Sequence, residues 1–369
     1  MSETHGILSL ALDFPAVVRT NDFWRRGYPE VLATFESRAL ARLWTPAEGD
    51  VDPATAAFDA EMAPYLGDPF RGAVERRVLG PGETVLQGEA RAARRALDAA
   101  GLEPEEVGLL ISAAFVPDQP GLGQAAFLAR ELGLRGAAWN LETACSSGLE
   151  AVRAAAALVR AGEYRHVLVV TSCMYSKVSD PEDTISLVVG DGAAALVVGE
   201  GQAPATIVGG KSVHTGDTCG SMYYELVKAD GGEGRMLMRS GRHGGKQLHE
   251  AAGKYLLECC HGALAAAGVT LEEIACFVFN TPTAWYARFC ARALGVPASK
   301  TVDTFPTYGN VGPVLMPANL YEAARQGKLR RGDLVLLYSI GSVSSAGAMV
   351  VRWNDVALGA PPQPAIARQ

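Results

Sequence analysis

One cysteine stands where a thiol could act as a nucleophile. Cys145 lies in the segment Asn-Leu-Glu-Thr-Ala-Cys-Ser-Ser-Gly, residues 140–148, between an apolar strand-like segment and an Ala-rich segment that predicts a helix. The N-terminus of a helix offers unpaired N–H groups and the positive end of the helix dipole. This position predicts a lowered thiol pKa and a nucleophilic sulfur. Local context alone leaves open a buried cysteine in a helix cap.

The remaining cysteines have no such context. The chain contains seven cysteines, an odd number, and no Cys-x-x-Cys or Cys/His ligand spacing. This pattern predicts neither a disulfide framework nor a zinc site. We therefore expect no metal or other cofactor, and we expect the other cysteines to be small buried hydrophobic side chains.

The elements that would position Cys145 occur twice in the chain. Residues 100–107, AGLEPEEV, resemble residues 267–274, AGVTLEEI, at an offset of 167 residues. Each copy follows a segment with helical periodicity and precedes an apolar segment typical of a buried strand. Two such halves predict one duplicated α/β unit with pseudo-twofold symmetry, in which helices cover the sheets.

The repeat places the division between the two halves near the middle of the chain. We assign residues 1–200 to the N-terminal half and residues 201–369 to the C-terminal half. Residues 21–77, which are richer in charge, Trp and Pro, predict a helical insertion. That insertion is either a cap or dimer element, or a lid that shapes an access channel. The Gly-rich residues 228–243 predict a surface loop.

Composition excludes several classes of protein. Hydrophobic residues make up 49% of the 369 residues and charged residues 20%, which excludes a disordered chain. The net charge of −7 argues against nucleic acid as a partner. No apolar segment is long enough to span a membrane, and the N-terminus lacks the basic region of a signal peptide. We expect a soluble cytoplasmic enzyme.

Several motifs occur in the order typical of one enzyme family. The Thr-Ala-Cys-Ser-Ser-Gly segment resembles the nucleophile motif of ketosynthases, and the wider pattern is similar to the ketoacyl-acyl-carrier-protein synthase III family of the thiolase superfamily. The supporting segments are residues 83–84, 190–194, 308–310 and 341–347. The resemblance covers residues 78–353. It implies a thiolase-like duplicated α-β-α-β-α layered fold and a homodimer.

The resemblance also implies an activity. A thioester on an acyl carrier protein or on CoA would acylate Cys145, which would then pass the acyl group to a small-molecule or carrier-bound acceptor. The N–H groups of Cys145 and Ser342, in the glycine-rich loop that begins at Gly341, would form the oxyanion hole. Asn310 would donate a hydrogen bond to a thioester carbonyl.

One position departs from the family pattern. Decarboxylating members carry a His where this chain has Asn280. An amide can donate a hydrogen bond to an oxyanion, but it cannot exchange a proton near neutral pH as an imidazole does. Initiation of fatty-acid synthesis from a malonyl donor is therefore a less favoured function.

Two further positions bear on the missing base and on the donor. His214 and Asp217 follow the Gly-Asp-Gly-Ala-Ala strand, where the family's loop borders the substrate channel, and they could act as a base and its helper. Trp285 aligns with an Arg that relatives use to contact the carrier protein, so the resemblance places it among the substrate-binding residues. Arg288 and Arg292 follow Trp285 on the same predicted helix.

Three functions remain open. The first interpretation is an acyltransferase that passes an acyl group from Cys145 to an alcohol, amine or activated carbon in polyketide or other specialised-metabolite biosynthesis. A second interpretation is a ketosynthase that joins two acyl chains by Claisen condensation without the usual His. A third is a non-catalytic partner of a complete synthase, which the retained thiol argues against.

Overall fold

The computed structural model describes residues 5–41, 52–202, 204–228, 234–241 and 244–369. Among these residues, no helix combines the length and the apolar character needed to cross a bilayer.

Strands account for the two central layers and their edges. They are β1 (His5–Asp13), β2 (Val17–Thr20), β3 (Glu75–Val78), β4 (Leu109–Ala114), β5 (Ala137–Asn140), β6 (His166–Met174), β7 (Asp191–Glu200), β8 (Thr206–His214), β9 (Met222–Lys228), β10 (Gly234–Ser240), β11 (Ile274–Phe279), β12 (Leu334–Ile340), β13 (Ser345–Arg352), β14 (Ala357–Leu358) and β15 (Ala367–Arg368).

Helices cover and separate the sheets. They are α1 (Asp22–Gly27), α2 (Pro29–Ala41), α3 (Pro53–Met62), α4 (Val85–Ala100), α5 (Ala125–Leu132), α6 (Ser147–Arg160), α7 (Gly244–Ala267), α8 (Tyr286–Ala293), α9 (Phe305–Tyr308) and α10 (Leu315–Arg325).

Two sheets repeat one topology. In the first sheet the order is β14-β1-β7-β6-β4-β5, and in the second it is β11-β12-β13-β8. In the first, β1 and β7 are antiparallel, β7 and β6 are antiparallel, and β6 and β4 are parallel. In the second, β8, β13, β12 and β11 follow the same pattern. A parallel bridge between Phe277 and Thr301 takes the place of β5.

The repeated segment marks equivalent corners of the two halves. Helix α4 ends at Ala100 and α7 ends at Ala267. Each is followed by a glycine in the left-handed region, with φ of 66° at Gly101 and 67° at Gly268. Glycine adopts this conformation without a steric penalty and ends a helix abruptly. The chain then enters β4 or β11, which is the duplication predicted from the sequence.

Helices form three layers around the sheets. Helices α4 and α5 pack on the outer face of the first sheet, α6 and α10 lie between the sheets, and α7 and α8 cover the second sheet. Every residue of β6 and of β12 is buried. Strands buried on both faces show continuous apolar sequence rather than alternation. The result is the predicted α-β-α-β-α arrangement.

The predicted helical insertion contains α1, α2 and α3, while residues 42–51 lie outside the described residues. Helix α3 packs across α7 and α8 of the C-terminal half. The ring of Phe58 meets Trp285 and Phe289 edge-on, at centroid distances of 6.3 and 4.9 Å. The insertion therefore covers the second sheet's helices rather than extending away from the molecule.

The prediction of a loop over residues 228–243 is wrong for residues 234–240, which form β10, while residues 229–233, 242 and 243 lie outside the described residues. Strands β9 and β10 form an antiparallel pair, in which Met222 lies opposite Ser240 and Lys228 lies opposite Gly234. Met238 is buried, whereas Tyr223 and Leu226 are exposed. The buried side chains of the hairpin, Leu237 among them, lie on β10, whereas β9 is mostly exposed.

Candidate active site

The turn between β5 and α6 carries Cys145. Residues Ala144–Ser146 form a single 3-10 turn that leads into α6 at Ser147. Ala144 has a φ of 56°, in the left-handed region that residues with a Cβ rarely adopt. Such backbone persists only where surrounding contacts fix it, and it clusters at active sites. Cys145 thus lies at the strand-to-helix turn expected from the sequence.

The C-terminal half holds this turn in place. The Ser339 hydroxyl, at the end of β12, donates a hydrogen bond of 2.8 Å to the carbonyl oxygen of Cys145. Gly341 packs against the same turn, and a Cβ at Gly341 would lie 2.1 Å from the Thr143 carbonyl oxygen. Only glycine permits this approach. Cys145 therefore lies in one half of the chain, and the residues that support its turn lie in the other.

Burial opposes the helix dipole at the sulfur. The surrounding wall raises the pKa of Cys145 to about 11, because a thiolate would be poorly solvated there. The Tyr175 hydroxyl, 3.9 Å from the sulfur, acts in the opposite direction by hydrogen bonding to it. The lowered pKa predicted from the helix N-terminus is therefore wrong for the resting protein. The thiol is protonated at neutral pH and needs a base.

Two cavities meet at Cys145, and both also contain Tyr175, Met222 and Ser342. The first, of about 280 Å³, we call the hairpin cavity. Its other lining residues include Phe115, Glu142, Tyr223, Tyr224, Met238 and Val343. The second, of about 230 Å³, we call the amide cavity. Its other lining residues include Phe58, Leu248, His249, Asn280, Tyr286 and Asn310.

Asn280 and Asn310 are held by the backbone of one residue, Gly312. The buried Asn280 side-chain amide donates to the Gly312 carbonyl at 2.8 Å, and the Asn310 side-chain oxygen accepts from the Gly312 N–H at 2.9 Å. These bonds fix the orientation of both side-chain amides. The Asn310 amide nitrogen remains as a donor for a ligand in the amide cavity.

Ser342 lies on the glycine-rich loop between β12 and β13. The Gly341 N–H donates to Ser345, and the Thr215 hydroxyl donates to the Gly341 carbonyl at 3.0 Å, so the loop is closed and supported from β8. Within the described part of the chain, no hydrogen-bond acceptor lies on the Ser342 N–H. The loop thus presents an unused N–H group beside Cys145, as an oxyanion hole requires.

Comparison with known proteins identifies the family. Residues 139–216 match the family model described as 3-Oxoacyl-[acyl-carrier-protein (ACP)] synthase III, and residues 264–353 match the model of its C-terminal region. The β-ketoacyl-[acyl-carrier-protein] synthase III of Brucella suis is 30% identical over 285 residues, which cover 76% of this chain and 88% of the relative. That of Sinorhizobium medicae is 30% identical over 295 residues, with the same coverage. The chain belongs to the β-ketoacyl-[acyl-carrier-protein] synthase III family.

Solved structures share the fold. The synthase III of Aquifex aeolicus has a TM-score of 0.73 at 25% identity, covering 95% of this chain and 100% of that chain. Cerulenin-bound OleA of Xanthomonas campestris has a TM-score of 0.76 at 20% identity, covering 95% and 97%, a likeness that shows the fold alone. The predicted thiolase-like fold and the acyltransferase class are confirmed. That Asn280 stands in place of a synthase III His stays a prediction.

The structure does not bring His214 and Asp217 to the nucleophile. Neither lines the hairpin cavity or the amide cavity. The Asp217 carboxylate instead accepts hydrogen bonds from Lys254 at 2.5 Å and from Tyr255 at 3.1 Å. His214 ends β8, where its neighbour Thr215 supports the glycine-rich loop. The prediction that they act as a base and its helper is therefore corrected, because both residues lie outside the two cavities.

Trp285 also differs from its expected role in substrate binding. Its side chain is buried between α8 and the insertion, with the Tyr65 ring 5.6 Å away, and it lines neither cavity. Arg288 and Arg292 both form ion pairs with Glu61 of α3 at 3.1 and 3.0 Å. These contacts tie α8 to the insertion.

Sequence reasoning missed two groups beside the sulfur, Tyr175 and Glu142. Tyr175 is fully buried after β6 and lines both cavities. Glu142 precedes Cys145 by three residues, and burial raises its pKa to about 7. Glu142 is part of the nucleophile motif itself, so its position was a signal. Tyr175 is distant in sequence, and only the packing of β6 against the Cys145 turn brings it close.

Proposed function

We propose that this synthase III family member forms an acyl-enzyme on Cys145 and transfers the acyl group to an acceptor in polyketide or other specialised-metabolite biosynthesis. The observation that carries the proposal is the meeting of two cavities at the Cys145 sulfur. One cavity can hold the acyl group while the other admits the second reactant. The names of the relatives support a thioester on an acyl carrier protein as donor, with CoA as the alternative carrier.

The acylation step requires stabilisation of a developing oxyanion. Attack by the Cys145 sulfur moves negative charge onto the thioester oxygen. The N–H groups of Cys145 and Ser342 are the proposed donors to that oxygen, and fixed donors of this kind contribute about 3–4 kcal/mol each. The Asn310 amide nitrogen is the proposed donor to a carbonyl bound in the amide cavity.

The amides favour acyl transfer over decarboxylative condensation. Neither Asn280 nor Asn310 exchanges a proton near neutral pH. The first is also committed to the Gly312 carbonyl. Transfer to an alcohol, amine or activated carbon needs a carbonyl held in place, and the Asn310 amide nitrogen is the proposed donor that holds it.

A second candidate is condensation of two acyl chains. Aromatic and aliphatic side chains dominate the walls of both cavities, with Phe115 and Met238 in one and Phe58 and Leu248 in the other. Apolar walls on both sides of the sulfur suit two hydrocarbon chains. Alkaline hydrolysis of the product distinguishes this candidate from transfer to an alcohol, because a C–C bond resists alkaline hydrolysis and an ester does not.

We also propose a homodimer. Strand β5 is the edge of the first sheet, and its Trp139 side chain is 44% exposed. An unpaired edge with exposed apolar side chains favours association with another strand. Sedimentation at micromolar concentration tests this, and a monomer there would contradict it.

The acyl-enzyme is tested by intact-mass spectrometry after incubation with acyl thioesters of carrier protein and of CoA. Wild type should gain one acyl mass, and Cys145→Ala should gain none. A wild type that stays unlabelled by every thioester would refute the proposed acyl-enzyme. A panel of alcohols, amines and a second acyl thioester then identifies the acceptor. Full activity of a purified complex that contains Cys145→Ala would favour the non-catalytic partner instead.

A further inference from the structure

The carboxylate of Glu142 is fixed beside the nucleophile by the turn that carries it. One of its oxygens accepts hydrogen bonds from the Ala144 N–H and, at 3.2 Å, from the Ser147 hydroxyl. These two donors lie on either side of Cys145 in the sequence. The carboxylate thus lies against the backbone of the nucleophile turn, with its position set by residues that also set the position of the sulfur.

The second oxygen of Glu142 remains for other chemistry. The side chain is exposed through the hairpin cavity, and within the described residues its second oxygen carries no hydrogen bond. Among the described residues that line either cavity, Glu142 is the one carboxylate. The titratable groups that face it in the hairpin cavity are the thiol of Cys145 and the phenols of Tyr175, Tyr223 and Tyr224.

The site requires a proton acceptor that the amides do not supply. The Cys145 thiol is protonated at neutral pH because burial raises its pKa to about 11. The phenol of Tyr175 is neutral as well, because burial raises its pKa well above the usual value. Packing of the carboxylate against the turn raises the pKa of Glu142 to about 7, while the rest of its side chain opens to solvent through the hairpin cavity, so the group can accept a proton and return it.

We propose that Glu142 is the general base of this site, which takes the Cys145 thiol proton during acylation and the acceptor's proton during transfer. The proposal rests on the proposed function, because it assumes that Cys145 is acylated. It assigns to this carboxylate the acid–base role that Asn280 cannot perform.

The proton balance is complete in both steps. As the Cys145 sulfur bonds to the thioester carbonyl carbon, its proton moves to the Glu142 carboxylate and the C–S bond of the donor breaks. The departing thiolate then takes that proton from Glu142 and leaves as a thiol. In the second step the acceptor loses its proton to Glu142 as it attacks the acyl carbon. The Cys145 sulfur leaves as a thiolate, which recovers the proton from Glu142.

The test compares Glu142→Gln with wild type in two reactions of the same sulfur. The amide oxygen of Gln can still accept both hydrogen bonds, so the turn is retained while proton acceptance is lost. Acylation of wild type should rise with pH to a plateau, with an inflection near the pKa of about 7. In Glu142→Gln, acylation at neutral pH should fall by about 100-fold and the inflection should disappear.

Alkylation by iodoacetamide near pH 8 should change in the opposite direction. The Glu142 charge contributes to the raised pKa of Cys145, so its removal should leave alkylation as fast or faster. Glu163→Gln, an exposed carboxylate after α6, is the matched control and should change neither reaction. Glu142→Asp keeps a carboxylate and should retain the inflection, which gives a second variant if Glu142→Gln fails to fold.

Three results would count against this role. Acylation of Glu142→Gln with the wild-type rate and pH profile would overturn it. Acylation and alkylation that fall together would show that Glu142 only supports the turn, and would also overturn it. A wild type that is alkylated but never acylated would instead refute the proposed function, and the general base with it.

Discussion

The hydroxyl of Tyr175 lies 3.9 Å from the sulfur of Cys145, at the point where the two cavities meet. Tyr175 is fully buried, and burial keeps its phenol protonated by raising its pKa. A neutral phenol is a donor, so it can hydrogen bond to a thiolate at this position. The chain therefore supplies one stabilising group for the charged nucleophile that is independent of the helix N-terminus.

Replacement of Tyr175 by Phe should make the thiol less acidic. Loss of the donor removes the one side chain whose hydrogen bond lowers the pKa of Cys145. Hydrogen bonds to charged groups contribute about 1.5–3 kcal/mol, so alkylation at a fixed pH should slow by about tenfold or more. Iodoacetamide rates measured across pH check this. Tyr164→Phe, remote from both cavities, is the control, and equal profiles for wild type and Tyr175→Phe would contradict the role.

Replacement of Gly341 by Ala should abolish acylation of Cys145. The added Cβ would lie 2.1 Å from the Thr143 carbonyl oxygen, so the loop or the nucleophile turn must move. Overpacking of this kind costs about 1–3 kcal/mol of stability. Gly67→Ala is the matched control, since a Cβ there meets no atom within 4 Å. Intact-mass labelling and thermal melting of both variants measure the loss of acylation and the loss of stability. Normal labelling of Gly341→Ala would exclude the close packing of Gly341 against the Cys145 turn.

Replacement of Asn280 by Asp should destabilise the fold in a pH-dependent manner. The isosteric change removes the donor to the Gly312 carbonyl, which costs about 1–3 kcal/mol in a buried site. Burial should raise the pKa of the new carboxyl above its unfolded value of about 3.9. The penalty should therefore grow as pH rises and shrink as pH falls, because the protonated acid can donate to the carbonyl.

Urea melts near pH 5 and pH 8 measure this dependence. Asn354→Asp is the comparison, because Asn354 also donates to a carbonyl, that of Pro204 at 2.9 Å, but is only half-buried. The loss of stability in Asn354→Asp should be smaller and should depend less on pH. A pH-independent loss in Asn280→Asp would show that the new carboxyl does not meet the Gly312 carbonyl.

Replacement of Glu89 by Gln should stabilise the protein increasingly as pH rises. Burial raises the pKa of Glu89 from 4.5 to about 8, and one of its oxygens lacks a partner among the described residues. Between these values the unfolded chain releases a proton that the folded chain retains, so wild-type stability falls with rising pH. The amide keeps the hydrogen bond from Ser172 but cannot ionise.

The difference in free energy of unfolding between Glu89→Gln and wild type should widen from about pH 5 to pH 8, by at most about 4 kcal/mol. Denaturant melts at the two pH values measure it. Glu105 is exposed, so the free energy of unfolding of Glu105→Gln should change with pH as that of wild type does. Parallel curves for Glu89→Gln as well would mean that Glu89 is ionised in the folded protein.

Short sequence motifs predict the secondary-structure elements, whereas the properties of the site residues depend on how the chain packs. The turn at Cys145 and the helix that follows it are predicted from short segments, because turn residues and periodicity act over a few positions. The direction of the Cys145 pKa could not be predicted in this way, since burial by the whole site outweighs a helix end. Trp285 was misassigned because an alignment gives a position along α8 but not the neighbour, α3, that its side chain meets.

Residues far apart in sequence explain the remaining differences. The sequence predicts Asp217 as a helper of His214, yet α7 brings Lys254 and Tyr255 to the same carboxylate. The segment that contains β10 is predicted as a loop because residues 228–243 are Gly-rich. Its pairing depends on a register that only the folded hairpin establishes.

The hydrogen bond from Ser339 to Cys145 has a consequence for the newly made chain. The ribosome delivers residues in order, so the nucleophile turn leaves it long before β12, whose Ser339 and following Gly341 hold that turn. A nascent N-terminal half therefore carries the thiol without its support. Reactivity toward cellular thioesters should begin only when synthesis of the second half is nearly complete, which protects the immature chain from premature acylation.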